Sequence, residues 1–82
     1  MIIRSQDKKR IVNLDNIDSI HANDYGEINA FNGSGNSRTF MGKYSTEEKV
    51  INVLDMICDA CRNIAFIDGQ AVVFNMPQDS EV

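Results

Sequence analysis

The chain has 82 residues, 43 % of them apolar and 24 % charged, and its 12 acidic residues outnumber 8 basic ones to leave a net charge of −4. That length holds one domain, and its apolar share is too high for a wholly disordered chain. The acidic balance disfavours nonspecific binding to nucleic acid, which needs a surplus of Lys and Arg, and no run reaches the roughly 18 apolar residues that cross a bilayer.

Ile2 to Ser5 reads as a short strand, Gln6 to Lys9 as a polar turn, and Arg10 to Leu14 as the returning strand. Asp15 to Asp18 is rich in side chains that bond their own backbone, which makes it a tight connection. Ser19 to Ala22 is a third strand, Asn23-Asp24-Tyr25-Gly26 a turn, and Glu27 to Phe31 a fourth strand. Asn32-Gly33-Ser34-Gly35-Asn36 suits a hairpin loop, because glycine takes positive φ freely. Arg38 to Tyr44 is a fifth strand, so the front half reads as an antiparallel meander.

After Tyr44 the period changes. Ser45 with Glu48 three residues on matches a capping box. Val50, Leu54, Ile57, Cys61 and Ile64 recur at spacings of four, three, four and three, with Val53 on the same stripe. Glu48, Asn52, Asp55, Asp59 and Arg62 take the opposite side, so an amphipathic helix is predicted from Thr46 to Asn63. Ile64 to Ile67 follows, Asp68-Gly69 is a turn, and Ala71 to Met76 is a last strand closed by Pro77, which cannot donate to a ladder. The predicted architecture is α+β: an antiparallel β-meander packed on one amphipathic helix, with a C-terminal strand. Residues 1–77 make a single domain, and residues 78–82 are expected to trail as a loose polar tail.

Three stretches carry a resemblance. They are Ile3-Arg4-Ser5-Gln6-Asp7-Lys8-Lys9, then Gly42 to Lys49 with Val53-Leu54-Asp55-Met56-Ile57, and finally Phe74 to Val82. In these the chain resembles a group of small, uncharacterised proteins from Firmicutes and their phages. The resemblance implies a strand-rich front half, a helix and a final strand, and it implies no activity. A phage or prophage origin would point to an accessory or counter-defence role.

Cys58-Asp59-Ala60-Cys61 is a C-x-x-C motif, but it lies late in the helix, where the dipole opposes a thiolate. Structural, reduced cysteines are expected, and a zinc site would need more ligands than the single His21 supplies. His21 has no serine or cysteine placed by motif to pair with it. The glycine-rich loop lacks a phosphate-loop lysine and does not open a helix. No serine elbow, zinc-binding helix motif or calcium loop occurs, and no catalytic residue, metal or cofactor is assigned.

Lys8-Lys9-Arg10 with Arg4 forms a basic cluster in an acidic chain. A solvated hairpin is one reading. The sharper one is a cationic pocket for a phosphate-bearing ligand, built from Arg4, Arg10 and Arg38 as donors with Tyr25 or Phe40 as a stacking surface. Its arginines would have to meet across strands or across a dimer interface. The expected protein is therefore a non-enzymatic, cytoplasmic homo-oligomer that sequesters a small anionic, nucleotide-like ligand or blocks a host protein. The alternative is an interaction or scaffolding protein with no small ligand. A homo-oligomer is expected because so small a domain buries little surface alone.

Overall fold

The change of hydrophobic period after Tyr44 is where the fold changes character. A computed structural model describes residues 1–33, 37–63 and 72–82. Five strands come first: β1 (Ile2–Arg4), β2 (Ile11–Asn13), β3 (Ser19–Ala22), β4 (Glu27–Asn32) and β5 (Ser37–Lys43). Among the described residues one helix, α1 (Glu47–Asn63), and a C-terminal strand, β6 (Val73–Asn75), follow, giving the α+β arrangement that the sequence predicts. The readings placed on Ser34 to Asn36 and on Ile64 to Ala71 lie outside the described residues. No helix among the described residues is long and apolar enough to cross a membrane.

The front strands do not form one continuous meander. They divide into two three-stranded sheets, ordered β2–β1–β6 and β3–β4–β5. A 3-10 turn at Leu14–Asn16 separates them, and the Asn13 side chain caps it by accepting from the Asp15 amide at 3.0 Å. β6 lies parallel to β1, with Phe74 opposite Ile3, a pairing that needs a long crossover rather than a hairpin. The helix lies within that crossover.

Gln6 joins the sheets. Its amide donates to the Met41 carbonyl at 2.7 Å. Its side chain imitates a strand residue: Nε2 donates to the Lys43 carbonyl at 3.0 Å, and Oε1 accepts from the Lys43 amide at 2.9 Å. A residue that reads as part of a polar turn thus supplies the seam of the domain.

The apolar side chains converge where the sequence periods place them. Ile3 comes from β1, Ile28 and Ala30 from β4, Met41 from β5, and Val50, Val53 and Ile57 from α1; Tyr44 and Met76 close the core. Leu54 and Cys61 pack half-buried beside them, while Glu48, Asn52, Asp55, Asp59 and Arg62 face outward. The predicted helical stripe is the observed one as far as Cys61.

Two local expectations are corrected. The cap of α1 is Thr46, whose Oγ1 accepts from the Lys49 amide at 3.1 Å, and not Ser45. Ser45 is engaged elsewhere: its amide and hydroxyl both donate to the Asp79 carboxylate, at 2.8 and 3.0 Å. For the same reason residues 78–82 are not a loose tail. Asp79–Glu81 forms a 3-10 turn, Gln78 donates to the Gln6 carbonyl at 2.9 Å, and Val82 packs against the core. Lys49 adds a hydrogen bond of 2.8 Å to the Asp79 carbonyl. The Ser45 amide and hydroxyl, with Lys49 after them, hold the Asp79 carboxyl below its ordinary range.

Candidate functional site

Alternation along β4 sends Ile28 and Ala30 into the core, so Asn29 and Phe31 point the other way. The strand pairing extends this outer face across the sheet. Ser19, Phe31 and Arg38 make one cross-strand row, and His21, Asn29 and Phe40 make the next. Neighbours within such a row stand about 5 Å apart at Cβ. Neither phenylalanine packs against the core cluster, and both remain partly exposed.

A β-bulge sets this face. The register shifts between Ile28 and Asn29, so that Gly42 opposes Ile28 while Phe40 opposes Asn29. Met41 is the extra residue, 1 % exposed in the core. Its freed carbonyl is the one that accepts from Gln6. Regular pairing continued from Ile28–Gly42 without the bulge would set Phe40 opposite Ala30 and turn Arg38 and Phe40 inward.

The face is partly preorganised. The His21 ring meets Phe31 edge-on, with centroids 5.1 Å apart and an interplanar angle of 72°. His21 Nε2 lies 2.8 Å from the Ser19 hydroxyl, which fixes the tilt of the ring. Asn29 sits between His21 and Phe40 at 6 % exposure. Arg38 is exposed and joins no salt bridge among the described residues. Its planar fork is therefore open to an anion in the same cross-strand row as Phe31, two residues along β5 from Phe40.

Of the five residues singled out from sequence, Arg38 and Phe40 share this face. The other three stand elsewhere. Arg10 spends its guanidinium on Asp7 at 3.2 Å, and Arg4 Nε donates to the Lys8 carbonyl at 3.3 Å; both belong to the β1–β2 end of the other sheet. The Ser5 hydroxyl, the Lys9 amide and then Arg10 hold the Asp7 carboxyl low. The expected meeting of Arg4, Arg10 and Arg38 does not arise within one chain, because the two sheets separate them. Tyr25, 76 % exposed, lies in the β3–β4 turn and lines a different cleft.

No motif in the sequence marks Ser19, His21, Asn29 and Phe31 as a set. The signal that finds them is alternation read outward from the Asn23–Gly26 turn. That turn is fixed by Asn23, whose side-chain oxygen accepts from the Tyr25 and Glu27 amides at 2.9 and 3.0 Å. Once it is fixed, Asn29 falls opposite His21. The two cysteines of the C-x-x-C motif are free, Cys58 exposed and Cys61 half-buried on the helix. Among the described residues no group of three or more His, Cys, Asp or Glu side chains could hold a metal ion. The chain matches no protein-family model, no curated protein and no solved structure.

Proposed function

We propose that this chain is a small non-enzymatic binding protein whose outer β3–β4–β5 face holds and sequesters a planar, anionic ligand of the nucleotide class. The observation that carries the reading is the placement of Arg38, Phe40, Phe31 and His21 on one exposed sheet face. A nucleobase stacks on aromatic side chains with a gain of about 1–3 kcal/mol per base. The Arg38 fork suits a phosphate, and the Ser19 hydroxyl offers a polar contact in the same row. A net charge of −4 opposes an anion at long range. Binding on this face therefore depends on short-range stacking and on the single fork, and it is salt-sensitive mainly through Arg38. In the phage-accessory setting that the sequence resemblance implies, such a face removes its ligand from solution rather than converting it.

The test is a thermal-shift titration with nucleoside mono-, di- and triphosphates, with inorganic phosphate as the control. A nucleotide at about one hundred times its Kd adds about 2.7 kcal/mol to stability. In a domain of this size that raises Tm by more than about 10 °C. Arg38→Ala and Phe40→Ala each remove most of that shift, and Arg38→Lys keeps only part of it. No shift with any nucleotide, or a shift untouched by both alanine variants, overturns the reading.

A further inference from the structure

We infer that the basic β1–β2 turn of one copy docks into an acidic cleft on a second copy of this chain. The cleft lies between the β3–β4 turn and the start of α1 and encloses about 360 Å³. Its wall carries two large apolar side chains that water reaches, Tyr25 at 76 % and Ile51 at 49 % exposure. Apart from the two tyrosines, its ionisable residues among the described residues are Asp24 and Glu47, and no Lys, Arg or His among them lines it. Such a cleft takes a partner with an apolar anchor next to positive charge.

The chain itself carries that partner. Lys8, Lys9 and Arg10 stand together, and Ile11, which follows them, is 67 % exposed. Neither lysine forms a salt bridge among the described residues. The turn is already rigid. The Lys8 amide donates to the Ser5 carbonyl at 2.9 Å, the Arg10 amide to the Ser5 hydroxyl at 3.0 Å, and Asp7 holds both the Lys9 amide and the Arg10 guanidinium. Lys8 is held at a φ of 66°, a conformation few side-chain-bearing residues adopt. Little ordering entropy therefore remains to be lost on docking.

The two patches differ, so the contact is head to tail unless a two-fold axis lets both turns reach both clefts at once. It makes no use of the outer β3–β4–β5 face, so its failure leaves the ligand reading standing.

The test is sedimentation equilibrium on the wild-type chain and on two charge-reversed variants. One is Lys8→Glu with Lys9→Glu, the other Asp24→Lys with Glu47→Lys, and circular dichroism checks that both are folded. The wild type exceeds its 9.2 kDa monomer mass with rising concentration. Each variant alone associates at least about tenfold more weakly, because acid then faces acid or base faces base. Mixing the two restores association, since the acidic turn of the first fits the basic cleft of the second. A wild type that stays at monomer mass at millimolar concentration, or a mixture no more associated than its parts, overturns the inference.

Discussion

Replacing Tyr44 by Phe removes one oxygen from the place where three parts of the chain meet. Tyr44 is 2 % exposed, and its hydroxyl donates to the Pro77 carbonyl at 2.7 Å. Its own amide donates to the Gly26 carbonyl at 2.9 Å. Phe keeps the ring in the core, so the change isolates the hydrogen bond. Orphaning a buried polar group costs about 1–3 kcal/mol. Here the Pro77 carbonyl keeps a weak donor, Gln6 Nε2 at 3.4 Å, so the cost falls in the lower part of that range. At about 4–8 °C per kcal/mol for a domain of this length, Tm drops by roughly 4–16 °C.

The same group gives the alkaline limb of stability. Burial, with the charges of Asp79 and then Glu81, pushes the Tyr44 phenol from 10.0 up to about 12. In the unfolded chain the phenol ionises first, so the native state binds the proton more tightly. Its contribution is complete below about pH 10 and is lost as pH rises towards about 12. Urea melts of the wild type and Tyr44→Phe measure both effects: a gap at neutral pH that narrows through this window. Equal stability at neutral pH, with parallel curves above pH 10, would refute the buried bond.

Gly26→Ala should cost more than Tyr44→Phe, because Gly26 has a φ of +78° and an added Cβ would clash with the Tyr44 carbonyl oxygen; a Tm within a few degrees of wild type would contradict this. Ile28→Ala should lose about 2–5 kcal/mol in urea unfolding, since Ile28 is 0 % exposed, and Leu54→Ala less, since Leu54 is only half-buried. Asp79→Ala should free residues 78–82, seen as faster hydrogen exchange at the Ser45 amide that Asp79 now accepts from. Because the folded Asp79 carboxyl sits below its ordinary 3.8, the stability it gives is present above that pH and lost as pH falls further, so Asp79→Ala should show a shallower acid limb.

The helix was legible because its signal is local. Val50, Val53 and Ile57 each lie on a stripe set by the spacing of their own neighbours, and the structure buries all three. The strands were legible one at a time for the same reason. Which strands share a sheet depends on the Leu14–Asn16 turn and on the edge of β1 that β6 occupies, and neither is written in a hydrophobic period. The cap was misplaced by one residue because Ser45 and Thr46 are chemically equivalent as caps. What separates them is Asp79, which lies 34 residues away and engages Ser45.

The candidate site was half-legible, and the bulge at Met41 explains which half. Arg38 and Phe40 are two residues apart on one strand, so any register places them on the same side. Their partners come from β3 and β4, and regular alternation continued from the Ile28–Gly42 pair would have set Met41, not Phe40, opposite Asn29. Met41 avoids that position because its side chain belongs in the core and its carbonyl serves Gln6 on the other sheet. The contact that seams the two sheets is thus the contact that turns an arginine and a phenylalanine outward beside His21 and Phe31. Arrangement of the site and stability of the domain rest on the same extra residue.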